Sequence, residues 1–330
     1  MGKIHLTLAC WDYDRTRALQ EGRVQVEGVE LTYLPLRIEE TFWRMLRYQE
    51  FDAAEISMGS YLMARENGSP RLIAMPVFPS RAFRHSCIYI NTDSGIKEPK
   101  DLAGKRVGVP EYQVTMAIWA RGILQHEYGV KPEQIKWFTG GQEHPGREDK
   151  IKHDLPINID NRSIGPDQTL SSMLERGEID AIISPHIPSP FVRRSPKVKR
   201  LIPNFREVER EYYHRTKIFP IMHTLALREE VYERNPWVAQ SLCKAFAESK
   251  RLCEESMYEF SALKYMLAWS IAEMEEEREI FGENPWPYGL EANRHVLKTL
   301  VQYAHEQGLI KKKVDLKSLF VPSTLDDFKI

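Results

Sequence analysis

The sequence predicts an α/β fold in two units, with a helical C-terminal segment. Three observations carry that prediction. Strand-like and helix-like segments alternate over the first ninety residues, the order that produces parallel pairing with helical crossovers. A second alternating run begins near Asn91 and fades near Phe205. From Asn235 onward the pattern is mainly helical. A chain of 330 residues is too long for one small core and suits two domains or one large α/β unit.

Each element has a local reason. Ile4 to Cys10 reads as a strand and Asp14 to Glu21 as a short helix ended near Gly22. Val29 to Pro35 is a second strand, and Ile38 to Tyr48 a helix with Ile38, Phe42, Met45 and Leu46 on one face. Ala53 to Ser57 is a buried strand, after which Met58-Gly59-Ser60 opens another helix. In the second run, Ile96 to Pro110 is a helical turn, a tight turn and a short strand, about Val114 to Tyr128 a helix, Ile135 to Phe138 a strand, Ser171 to Arg176 a helix and Ile179 to Ser184 a strand. The stretch from Gly140 to Pro166 is rich in Gly, Pro, Asp and Asn and reads as a long functional or mobile loop. The chain returns through a strand at Phe219 to Leu227. Asn235 is a good N-cap ahead of Pro236, and Trp237 to Glu254 and Glu291 to Gln307 are the clearest helices.

Composition excludes some functions. Hydrophobic residues make up 42% and charged residues 28%, as in an ordinary globular protein, and the formal net charge of -1 offers no field for nucleic acid. No run approaches the ~18 apolar residues of a membrane span. The N-terminus runs into a strand without an apolar signal core or cleavage site, so a cytoplasmic location is expected. Cys10, Cys87, Cys243 and Cys253 form no CxxC pair and read as free, partly buried thiols rather than disulfides. No HxH or HxxxH spacing supports a metal site, and none is expected. There is no Gly-Xaa-Ser-Xaa-Gly elbow and no phosphate-binding loop.

The chemistry-bearing block is Phe78-Pro79-Ser80-Arg81-Ala82-Phe83-Arg84-His85-Ser86, with two arginines and a histidine within five residues. Arginine forks take carboxylates bidentately, and histidine moves protons near neutral pH. Together they suit a dianionic acid and proton chemistry on it. The plainer reading is that Arg81 and Arg84 serve ion pairs, and strand spacing sets residues three apart on opposite faces unless the chain turns at Pro79. His186 follows a buried strand, and His223 lies in the return strand with Ile221 and Leu225 on its own face; either can serve a site or a structural hydrogen bond. Glu55, beside Asp52 on a buried strand, is expected to pair with an arginine or to act in the site. Ser57, Ser60 and Thr115 open helices, where hydroxyls and amides hold anions or simply cap. Arg147 sits in the long loop, where it can close over a ligand. Trp11, Tyr13 and Tyr112 can stack on an aromatic ring or pack in the core. The segment Asn284-Pro285-Trp286-Pro287-Tyr288 is an interface, with a homo-oligomer as one outcome, or a plug between helices.

Several blocks together resemble one family: Phe51-Asp52-Ala53-Ala54-Glu55-Ile56-Ser57, Pro76-Val77-Phe78-Pro79-Ser80-Arg81-Ala82-Phe83-Arg84-His85, Asp101-Leu102-Ala103-Gly104-Lys105-Arg106-Val107-Gly108-Val109, Trp119-Ala120-Arg121-Gly122-Ile123-Leu124 and Gly140-Gly141-Gln142-Glu143-His144-Pro145-Gly146-Arg147. They are similar to the 4,5-dihydroxyphthalate decarboxylase family, which resembles type 2 periplasmic binding proteins in fold. The third block recurs across many solute-binding proteins; the second is far more specific. The resemblance implies two α/β lobes with a cleft between them: lobe one at 1–90 and 215–330, with the C-terminal helices, and lobe two at 91–214. It implies a decarboxylase of a hydroxylated aromatic dicarboxylic acid, with 4,5-dihydroxyphthalate to protocatechuate as the leading reaction. The ring serves as electron sink, so no cofactor is expected. His85 first and His186 second are the expected proton donors, with His223 as a further candidate, and a second histidine or Glu55 is expected to polarise the phenol. Arg81, Arg84 and Arg147 are expected to orient carboxylates, with Ser57, Glu55 and Tyr112 lining the substrate. The rival readings are a non-enzymatic solute-binding protein and a cytoplasmic sensor, and carbon dioxide release separates them.

Overall fold

The computed structural model describes residues 2–151, 154–259 and 261–325. Its strands in chain order are β1 (Ile4–Ala9), β2 (Val29–Leu34), β3 (Ala53–Ser57), β4 (Leu72–Arg81), β5 (Ile88–Asn91), β6 (Arg106–Val109), β7 (Lys136–Thr139), β8 (Asn161–Ser163), β9 (Ala181–Ile183), β10 (Val198–Arg200) and β11 (Ile221–Arg228). The chain divides into two compact units. Unit 1 is Met1–Arg81, His223–Lys298 and Val314–Ile330; unit 2 is Ala82–Met222 and Thr299–Lys313.

Unit 1 is built on a sheet of order β2-β1-β3-β11-β4. β1 pairs in parallel with β2 and β3, and β11 runs antiparallel to β3 with His223 opposite Ser57 and Leu225 opposite Glu55. β3 is buried at every residue, which fits a central strand. One face packs Leu6, Leu8, Leu225 and Leu227 against Val238, Leu242 and Phe246 of the helix Val238–Met257. Those helix positions recur at four-residue spacing on one stripe, and burying each such side chain is worth roughly 1.5–3 kcal/mol. The helix Ile38–Tyr48 buries Phe42, Met45 and Leu46 and ends at Gln49 in the left-handed region.

Unit 2 carries a sheet of order β10-β5-β9-β6-β7-β8, with β6 parallel to β7 and β9, and β5 antiparallel to β9 and β10. Tyr89, Leu170, Met173, Leu174, Ile179, Ile182 and Val198 form one of its cores. In the helix Thr115–Tyr128, a side-chain carbon at Gly122 would run into the Tyr303 ring. Glycine is what lets that ring lie against the helix, edge-on to Trp119 at 5.6 Å between centroids.

Element types follow the sequence closely, and the unit boundaries differ. The expected hand-over after residue 90 falls after Arg81, because β5 pairs with β9 and β10 in the second sheet. The expected return at 215 falls at His223, and residues 299–313, expected with lobe one, belong to unit 2. Two helices, Phe205–Thr216 and Ser270–Phe281, and the strand β4 were not legible. The first helix buries only Tyr212 and the second no residue, so neither carries an apolar stripe. β4 contains Pro76 and Pro79 and stands at the end of the sheet order, where a missing N–H is tolerated. Within the expected long loop, Asn161–Ser163 forms β8. All four cysteines are free and buried. Among the described residues no helix is long and apolar enough to cross a membrane.

Candidate active site

In unit 1 the carboxyl ends of β1 and β3 meet the start of β11, and that is where the polar side chains gather. Glu55, fully buried on β3, sits at the centre. Its Oε1 accepts from the Tyr13 hydroxyl at 2.6 Å and lies 2.6 Å from His223 Nδ1. Its Oε2 accepts from the Trp11 amide at 3.0 Å and the Cys10 thiol at 3.5 Å. Four donors occupy the carboxylate, so it is an acceptor throughout, and His223 must carry its proton on Nδ1. Burial would raise the Glu55 carboxyl. The hydrogen bond and charge of His223, with the donations from Tyr13 and Trp11, override that and hold it below its ordinary value. The Cys10 thiol is pushed well up by burial and by the Glu55 charge, so it is a thiol and not a thiolate.

His223 keeps 12% of its side chain exposed. The Phe42 ring meets it edge-on at 4.9 Å between centroids. With Nδ1 tied to Glu55, Nε2 is the nitrogen that can exchange a proton with a bound molecule. Ser57 pairs with it across the strands, so both side chains lie on one face. Tyr33 supports the turn from the side, donating to the Trp11 carbonyl at 3.0 Å and Thr16 Oγ1 at 3.1 Å. Arg15 lays its guanidinium 4.0 Å from the centre of the Tyr13 ring and 4.3 Å from that of Trp286. The sequence pointed to an arginine as partner for Glu55; the partner is a histidine, while Asp52 takes the arginine, Arg228, at 2.8 Å.

The Phe78 to Ser86 block is divided between the units. Arg81 is 6% exposed and ends β4; its Nη2 donates to the Pro287 carbonyl at 2.8 Å and to Asn293 Oδ1. It thereby clasps the first turn of the helix Leu290–Glu306. Trp286 of the same stretch donates to the Phe78 carbonyl at 2.8 Å and Tyr288 packs against the core, so Asn284 to Tyr288 forms a plug within unit 1. In unit 2, Arg84 Nε lies 3.1 Å from Met222 Sδ, and loss of hydration lowers its pKa against the charges of Cys87 and Glu209. His85 is buried, its ring 5.1 Å from that of Tyr212 and its Nδ1 3.8 Å from Glu209 Oε1.

A second polar cluster lies at the carboxyl ends of β6, β7 and β9 in unit 2. Glu111, buried, accepts from Arg147 Nη2 at 2.6 Å and Nε at 2.8 Å, from Lys150, and from Gln113 at 2.7 Å. Burial works against its ionisation, but Lys150 and Arg147 hold the carboxyl below its ordinary range. Gln142 bonds Ser184 Oγ and, at 3.2 Å, the His186 carbonyl. His186 is exposed just beyond β9. Tyr112 is fully buried, edge-on to Trp137 and stacked 3.6 Å under the Arg121 guanidinium, so its ring belongs to the unit 2 core. Thr115 opens the helix Thr115–Tyr128 and is buried. Lys150 and Glu111 carried no signal in the sequence, and Gln142 entered only as part of the Gly140 to Arg147 block, since only the fold brings them together.

His85 and Glu209 make a testable pair. Burial drops His85 to about 4 and raises Glu209 to about 7, the amides of Ser86 and His85 opposing the latter. Unfolded, the histidine binds a proton below about 6.5 and the glutamate below about 4.5. Between those values each state therefore holds one proton, on Glu209 when folded and on His85 when unfolded, and the pair adds little pH slope. Glu209→Gln removes the compensation. The depressed histidine then contributes stability that is full above about 6.5 and lost as pH falls toward about 4. Urea melts of E209Q should lose about 2 kcal/mol more than wild type between pH 7 and 5; parallel pH curves would refute this assignment.

A family model described as the periplasmic substrate-binding protein of phosphonate ABC transporters matches residues 19–147. The periplasmic aliphatic sulphonate binding protein SsuA from Escherichia coli aligns over 98% of this chain and 99% of its own, at a TM-score of 0.53 and 14% identity. The desulfurization enzyme DSZB aligns over 98% of each chain at 0.54 and 13%. The fold is that of the periplasmic substrate-binding proteins, a scaffold that also serves an enzyme. At closer range, a 4,5-dihydroxyphthalate decarboxylase from Comamonas testosteroni is 41% identical over 330 residues, the whole of both chains. One from Pseudomonas putida is 43% identical over 201 residues, 61% of this chain and 78% of its own. The chain belongs to the 4,5-dihydroxyphthalate decarboxylase family.

Proposed function

We propose that this protein is a carboxy-lyase that converts 4,5-dihydroxyphthalate to protocatechuate and carbon dioxide, with His223 delivering the proton. Full-length identity to a decarboxylase of that name supports the reaction. The observation that carries the proton donor is the buried Glu55 carboxylate on His223 Nδ1.

The chemistry needs little beyond that. The hydroxyl para to the departing carboxylate pushes electron density to the ring carbon that bears it. Imidazolium Nε2 of His223 gives that carbon a proton, a C–H bond forms, and aromaticity is lost. The C–C bond to the carboxylate then breaks, its electron pair restores the ring, and carbon dioxide leaves. One proton is consumed per turnover, as a dianion becomes a monoanion and a neutral gas. Glu55 stabilises the imidazolium and orients it, as buried carboxylates do for catalytic histidines. With four donors on it, Glu55 has no place for a substrate phenol, so its role is behind His223. The donor thus moves from His85, whose ring is buried and neutral near pH 7, to His223.

The setting we propose is cytoplasmic breakdown of phthalate-type acids, in keeping with four buried free thiols. The deciding experiment supplies purified protein with 4,5-dihydroxyphthalate and measures carbon dioxide and protocatechuate. Stoichiometric release of both is expected; saturable binding without release would leave a solute-binding protein instead.

A further inference from the structure

We propose that Tyr13 is a positioning residue of the dyad: by donating its hydroxyl to the same Glu55 oxygen that receives His223 Nδ1, it weakens the pull of the carboxylate on the imidazole proton and makes His223 a stronger acid. The proposal rests on the reading of His223 as proton donor and adds what sets its strength.

The geometry is specific. Tyr13 and His223 both lie 2.6 Å from Glu55 Oε1. A carboxylate oxygen that takes two short donations shares its charge between them, so each partner feels less of it. Tyr13 donates only. Burial and the neighbouring Glu55 and Cys10 push its phenol far above the ordinary range, and it stays protonated at any working pH. Its ring is held in place by the Arg15 guanidinium, itself fixed by donation from Nε to the Pro79 carbonyl at 2.7 Å. The titratable groups around the dyad are Glu55 on β3, Cys10, Tyr13 and Arg15 on the turn after β1, and Tyr33 on β2. Of these only Tyr13 shares the Oε1 atom, and removing its hydroxyl leaves every ionic charge in the set unchanged. Core packing alone would not require the hydroxyl, because a phenylalanine fills the same space.

The test is Tyr13→Phe, read by NMR of the His223 imidazole nitrogens and by kinetics. The titration midpoint of His223 in the substrate-free protein should rise by about one pH unit. The kcat should fall about tenfold with KM within about twofold, and the alkaline limb of the kcat/KM profile, where His223 loses its proton, should follow the NMR midpoint. Should Y13F fold poorly, 3-fluorotyrosine at position 13 keeps the shape with a stronger donor, and the midpoint should move down. A midpoint unmoved by the change of donor overturns the proposal. The NMR readout needs no substrate, so it stands or falls separately from turnover: if His223→Gln keeps full activity, the proton-donor reading fails while a shifted midpoint still shows Tyr13 acting on His223.

Discussion

Replacing His223 with Gln should cut decarboxylation by roughly 10²–10⁴-fold while leaving the protein folded. Glutamine suits the test because its amide can donate to Glu55 Oε1 as Nδ1 does, so the buried carboxylate stays satisfied. The ring-proton source is what disappears. Substrate affinity, measured by equilibrium titration, should change little, because the loss falls on the transition state and not on uniform binding. The same change at His85 should leave kcat within a few-fold and act on stability, since that ring packs on Tyr212 beside Glu209. The pair of variants decides between the two histidines. Turnover by H223Q near wild type, with H85Q inactive and folded, would return the donor role to His85.

That contrast shows what the sequence could and could not disclose. The parallel α/β order was legible because strand and helix periods alternate cleanly, and Ile38–Tyr48, Ala53–Ser57 and Thr115–Tyr128 lie where the residues say they should. The block with Arg81, Arg84 and His85 was legible as a motif, but residue type does not reveal direction. Arg81 turns to Asn293 and a carbonyl, and Arg84 to a thioether. The Glu55 to His223 pairing was beyond reach for a different reason. The two residues are 168 apart, and only the antiparallel register of β3 and β11 joins them. A signal existed in hindsight: a glutamate inside the apolar run Ala53 to Ser57 cannot be buried as an anion without several donors. Arginine is the commonest partner for such an anion; the fold supplies a histidine, a phenol, a thiol and an amide.

Replacing Glu55 with Gln should be nearly as costly to kcat as losing His223, and it should also destabilise the fold. A glutamine offers one oxygen and one NH2 where the native side chain offers two acceptors. If its oxygen takes the place of Oε1, it still accepts from Tyr13 and His223, but the NH2 then faces the Trp11 amide, a donor that cannot turn. An orphaned buried donor of that kind costs about 1–3 kcal/mol. If the amide flips to spare Trp11, its NH2 faces His223 Nδ1 and forces the proton to Nε2, and the imidazolium loses its counter-charge. The wrong tautomer behind a catalytic histidine lowers kcat by about 10⁴ in the best-studied triads, and a loss of roughly 10²–10⁴ is expected here. The pH dependence has a definite sign. Glu55 is held below its unfolded value of 4.5, so it contributes stability that is full above that pH and is lost as pH falls below it. E55Q should lose this acid limb, and its melting temperature should be flatter than wild type below about pH 5. Because Glu55 acts through His223, the double variant E55Q/H223Q should be scarcely slower than H223Q alone. Additive losses in that cycle, or a folded E55Q with kcat within tenfold of wild type, would separate the two residues and leave Glu55 a merely structural anion.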